Sequence, residues 1–192
     1  AGADILDVNV GLPGVDEPAM MAKVVKALQS VVDVPLQIDS SDPAAVEAGL
    51  RVLNGKGIVN SVNGRDEVLE AILPVVKKYG AAVLGLCVDA DGIPQTAEKR
   101  IVIAEKILNK ALSFGIPRED IYIDCLSLTV SAQQEQAAET LRAIRYVHDV
   151  MGLHTVLGVS NISFGLPYRE LVNSTFLTMA MANGLDLPII NP

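Results

Sequence analysis

Acids and amides recur at one kind of position in this chain, the last residue or two of short β-branched runs. Asp7 and Asn9 end the run Asp4–Asn9, Asp39 ends Pro35–Asp39, and Asn60 ends Gly57–Asn60. Farther on, Asp89 ends Ala82–Asp89, Asp124 ends Ile121–Asp124, Asn161 ends Thr155–Asn161 and Asn191 ends Leu187–Asn191. A carboxylate offers paired acceptors, and an amide offers a donor group beside an acceptor. Gathered in one place, these groups suit a flat heterocycle with an amidine-like N–H edge. A carboxylate takes two parallel N–H bonds from such an edge, while an amide reads the neighbouring ring nitrogen or carbonyl. Taken singly, each acid could equally cap a helix or accept backbone amides. Seven coincident run ends favour the collective reading.

Other chemistries find little support. No Gly-x-Ser-x-Gly elbow is present, and the two histidines, His148 and His154, flank a helix-to-strand turn and read as surface residues. Acids without a histidine cluster do not suit a transition metal, so no metal site is assigned; a hard cation on the oxygens is the alternative. The Gly55-Lys56-Gly57 stretch does not match a phosphate loop.

The runs that carry these residues are apolar almost throughout, as strands buried on both faces are, and helical stretches separate them. Parallel strands need such crossover connections. Asp16-Glu17-Pro18 and Ser41-Asp42-Pro43 place acid and proline where helices begin, and Gly80 is placed to end the helix that starts after Gly64-Arg65-Asp66. Longer helices are predicted over roughly 95–114, 131–151 and 167–184, the last opened by Pro167. The pattern predicts an α/β fold of the TIM (β/α)8-barrel type, with every polar strand end on the rim where barrel active sites are built. A complete barrel takes about 250 residues. Seven strand candidates in 192 residues therefore predict one domain over 1–192, a fragment of a longer chain lacking its first strand, first helix and last helix.

Bulk composition narrows the partners. Half the residues are hydrophobic, and 15 basic against 23 acidic side chains leave a formal charge of −8. That balance argues against nucleic acid and anionic membranes as partners. The apolar runs are too short to span a bilayer. Cys87 and Cys125 fit neither a zinc motif nor a disulfide framework, which points to a cytoplasmic setting.

The ordered set of segments then resembles a known family. Gly2–Gly11, Ile38-Asp39-Ser40, Val59–Asn63, Tyr122-Ile123-Asp124 and Leu157–Ser163, followed by Asn173–Leu177, are similar to the pterin-binding barrel of methyltetrahydrofolate methyltransferases. That family includes the folate module of cobalamin-dependent methionine synthase and the corrinoid methyltransferases of acetogens. The related dihydropteroate synthases fit less well, because their Glu-Ser-Thr-Arg-type and Ser-Arg-Lys-type runs have no match here. The resemblance implies transfer of the N5 methyl of 5-methyltetrahydrofolate to Co(I) of a cobalamin. That corrinoid would be carried by a partner domain or protein, and a homodimer is a candidate assembly.

By the same resemblance Asp39, Asn60 and Asp124 would hold the pterin edge, with Asp7 acting near it through water and Asn9 beside it. Asn161 would approach N5 as the catalytic amide, and Arg169 would meet the anionic folate tail. Phe164 stands where acetogen-type enzymes carry a polar residue, and Ser163–Pro167 looks more like the methionine-synthase type. The alternatives are a non-catalytic folate-binding or docking module and, more weakly, pteroate condensation.

Overall fold

The computed structural model describes residues 2–190, so Asn191, one of the predicted strand-end amides, lies outside the described residues. Seven strands form a single sheet: β1 (Leu6–Asn9), β2 (Leu36–Asp39), β3 (Ile58–Asn63), β4 (Ala82–Leu86), β5 (Ile121–Asp124), β6 (His154–Gly158) and β7 (Leu187–Ile189). Their spatial order is their chain order, and all six ladders are parallel. Between them run α1 (Glu17–Gln29), α2 (Pro43–Val52), α3 (Asp66–Tyr79), α4 (Ala97–Ser113), α5 (Gln136–Asp149) and α6 (Arg169–Ala182). No described helix is long and apolar enough to cross a membrane.

The helix starts follow from local chemistry. Asp16 accepts from the Ala19 amide at 3.1 Å and Asp42 from the Ala44 amide at 2.9 Å, so both acids cap the first turns of proline-led helices. Gly80 ends α3 in the left-handed region at φ 64°. Two helices begin later than the periodicity predicts. α5 opens at Gln136 rather than near Ser131, because the Thr129 and Ser131 hydroxyls donate instead to the Phe164 carbonyl, at 2.6 and 2.9 Å, and hold a turn. α6 opens at Arg169 rather than Pro167, behind Tyr168 at φ 55°.

Strand alternation sorts side chains between two faces. Val8, Ile38 and Val59 are buried against the helices, and Ile38 lies against Gly49 of α2, where even a Cβ would be crowded at 3.2 Å. The core continues through Met21, Val25, Leu69, Ile72 and Leu73 on the helices and Val83, Ile121 and Ile123 on the strands. Residues of the opposite parity, including Asp7, Gln37 and Asp39, turn to the concave face. The sheet is curled so far that its two edge strands, β1 and β7, line one cleft of about 560 Å3 that includes Leu6, Gln37, Leu187 and Ile189. Among the described residues these edges do not pair with each other.

Candidate functional site

Register brings the first group of predicted residues together. Asp7 stands opposite Gln37, Asn9 opposite Asp39, and Asp39 opposite Asn60, so three adjacent strands place five polar side chains on one face. They bond to one another. Asn9 Nδ2 donates to Asp39 Oδ2 at 2.9 Å, and Gln37 Nε2 donates to Asp7 Oδ1 at 2.7 Å. Asn60 Nδ2 approaches the same Asp7 oxygen at 3.4 Å, a long contact. Asp7 is therefore the shared acceptor of the wall built by β1, β2 and β3.

Asp39 keeps its proton more readily than an ordinary aspartate. Burial is the main cause, reinforced by the nearby charges of Asp7 and Glu17, while the bond from Asn9 works the other way. Glu17 is itself tied in, since it accepts the Ser40 hydroxyl. Gln37 belongs to this network, although the pattern of polar strand ends does not single it out. The only signal was its parity, two residues before Asp39 in the same run.

Asp124 stands apart from that network, at the end of β5, with only 5 % of its surface exposed. Its Oδ1 accepts the Leu126 amide at 2.7 Å. Burial pushes its pKa up to about 7, against the amides of Leu126 and Gly158 and the positive field of Arg100, which all favour the charged form. Near neutral pH both of its protonation states are accessible, so it can act as donor or as twin acceptor.

Asn161 sits on the 3-10 turn Val159–Ser163 that follows β6. Its Nδ2 lies 3.0 Å from where a Cβ on Gly158 would stand, so the amide rests over a strand end that must lack a side chain. Arg169 joins the same turn. Its Nε donates to Ser163 Oγ at 3.0 Å and its Nη2 to the Ser160 carbonyl at 3.1 Å, and its guanidinium lies 4.7 Å from the Phe164 ring centre. Asp39 and Asp124 end their strands, Asn60 lies within β3 and Asn161 just past β6, so these residues share the rim at the C-terminal ends of the strands. The histidines lie elsewhere: His154 opens β6 and His148 is near the end of α5.

Residues 1–191 match the sequence profile of the family described as pterin binding enzymes. The chain belongs to that family. Two relatives bear on what the pterin-binding barrel is for. Methionine synthase of Mycobacterium leprae is 35% identical over 203 residues, covering 99% of this chain and 17% of the relative. The chain thus spans under a fifth of that protein's length. The methylcorrinoid:tetrahydrofolate methyltransferase of Eubacterium limosum is 29% identical over 195 residues, covering 100% of this chain and 72% of the relative. Among solved structures, Yersinia pestis DHPS with a pterine-sulfa conjugate superposes with a TM-score of 0.76 at 16% identity, covering 97% of this chain and 75% of that one. At that identity the likeness speaks for the fold alone, a barrel of the TIM type, as the strand-end pattern predicts.

Proposed function

We propose that this pterin-binding barrel is the folate-handling part of a methyltransferase, which presents 5-methyltetrahydrofolate for transfer of its N5 methyl to a corrinoid. The observation that carries the reading is the pairing of acids and amides on the rim: an acid–amide wall on β1–β3, and a carboxyl and a free-standing amide on β5–β6. A pterin offers an amidine-like edge with parallel N–H groups, and carboxylates such as Asp39 and Asp124 are matched acceptors for it. Asn60 and Asn9, beside Asp39, supply the donors that the ring's carbonyl and bare nitrogens need. Asp7 holds Gln37 and Asn60 in place and reaches the ring through water. The names of the relatives support the same substrate class.

The chemistry asked of this chain is modest. As the methyl leaves, N5 gains an electron pair, and a hydrogen-bond donor aimed at that nitrogen stabilises the change more than it stabilises the ground state. In this reading Asn161, on the turn after β6, supplies that donor, and its amide does not titrate. Arg169, fixed on the same turn, takes the folate's carboxylate tail. A corrinoid, when bound, supplies the metal that accepts the methyl. On the same reading that group is carried by a partner domain or protein that docks over the rim, in a cytoplasmic setting.

Titration of 5-methyltetrahydrofolate into the chain, followed by addition of Co(I) cobalamin, tests the reading. Saturable binding and loss of the methyl on cobalt addition are expected. Binding without transfer would reduce the chain to a folate-binding module. Preference for a dihydropterin pyrophosphate over methyltetrahydrofolate would replace the proposal with pteroate condensation.

A further inference from the structure

Arg100 is the largest side chain in the molecule with no solvent exposure at all. Its guanidinium makes five hydrogen bonds, none to a carboxylate. Nε donates to the Pro94 carbonyl at 2.9 Å, and Nη2 to Gln136 Oε1 at 2.7 Å. Nη1 donates to the carbonyls of Cys125 and Leu126 at 3.1 and 3.0 Å and to Thr140 Oγ1 at 2.7 Å. A buried cation aimed at backbone carbonyls costs desolvation without the return of an ion pair, so its use lies in what those carbonyls hold.

Two of the three carbonyls belong to the residues that follow Asp124. Leu126 sits at φ 61°, in the left-handed region that side chains other than glycine rarely enter. Held there, it turns its amide back to Asp124 Oδ1 at 2.7 Å. Thr140 completes the clamp, with its hydroxyl 3.0 Å from the same Leu126 carbonyl. The guanidinium thus joins the loop after β4, the loop after β5 and the start of α5 behind one carboxyl.

We infer that Arg100 is a positioning residue for Asp124: through the Cys125 and Leu126 carbonyls it fixes the turn whose amide orients that carboxyl toward the pterin. This rests on the reading above that Asp124 takes the pterin edge. The positive field of Arg100 also reaches Asp124 and favours its ionised form, in opposition to the larger effect of burial.

The test is a carboxyl-carbon NMR titration of Asp124 without ligand, in the native chain, Arg100→Met and Arg100→Lys. Arg100→Met removes fork and charge and is expected to raise the Asp124 midpoint by about one pH unit. It should also weaken methyltetrahydrofolate binding at neutral pH about tenfold. Arg100→Lys keeps the charge but cannot span five separate acceptors, and should give a smaller shift in the same direction with partial recovery of affinity. A purely structural arginine would lower the melting temperature and leave the midpoint alone. An unchanged midpoint in whichever variant folds overturns the inference. Failure of the native chain to bind methyltetrahydrofolate would instead count against the proposed function, since the ligand-free titration stands apart from it.

Discussion

The Leu126 amide donates to Asp124 Oδ1 at 2.7 Å, so the carboxyl that ends β5 is held by the backbone of its own loop. The Gly158 amide of β6 also favours its ionised form, so backbone groups from both sides act on it. Asp7, by contrast, is held by a side chain, that of Gln37 on β2. The two walls of the site are therefore built by different means, and they should respond differently to substitution and to pH.

Asp124 links stability to pH. Its pKa rises from the ordinary 3.8 to about 7 on folding, so between those values the folded chain holds a proton that the unfolded chain has lost. Stability from this group is therefore full below about pH 4 and falls as pH rises toward 7, by roughly 4 kcal/mol in all. Asp124→Asn, which keeps an oxygen for the Leu126 amide, should remove that slope. Chemical denaturation at several pH values from 4 to 8 measures it; an equally steep decline in the variant would place the titration elsewhere.

Asp7→Asn tests the acid–amide wall. The substitution removes the charge that Gln37 and Asn60 share, and a lost hydrogen bond to a charged group is worth about 1.5–3 kcal/mol. Folate affinity should drop roughly ten- to a hundredfold in calorimetry, with little change in the affinity retained through Asp124. No measurable loss would show that the wall does not contact the ligand, directly or through water.

For Asn161→Ala the expectation is a split between rate and affinity. Loss of a donor that acts only as N5 departs typically slows a reaction about a hundred- to a thousandfold. Single-turnover methyl transfer should fall on that scale while the folate dissociation constant moves only a few-fold. Matching losses in both would mean that Asn161 merely binds.

Gly158→Ala probes the same amide indirectly. The new Cβ would stand 3.0 Å from Asn161 Nδ2, so the amide must shift by a few tenths of an ångström. Small displacements of a positioned group cost rate before they cost binding. A several-fold slower transfer at near-native affinity is expected, and an unaffected rate would show that the amide's position is not critical.

Much of this was legible in the sequence, for identifiable reasons. The strands announce themselves because both of their faces are buried, and their polar ends report the rim because an unpartnered acid there would be costly. Asp7, Asn9, Asp39 and Asn60 could be grouped from sequence because parallel register carries them to one face. Arg100 could not. Within Glu98-Lys99-Arg100 it looks like one more charge on the outer face of a helix, and only the packing of α4 against α5 turns it inward. Gln37 was hidden similarly, as a polar residue inside an apolar run whose meaning depends on its neighbour Asp7. The early turn at Thr129–Ser131 escaped because its hydroxyls bond a carbonyl some 33–35 residues away.

The order of the strands bears on how the chain is made as well as on how it works. Spatial order follows chain order from β1 to β7, so a chain leaving the ribosome adds each new strand to an edge already present. From β2 to β7 each described strand pairs with the one made just before it, and domains fold N-terminal part first during synthesis. The acid–amide wall, confined to the first three strands, can then assemble before Asp124 or Asn161 has been translated.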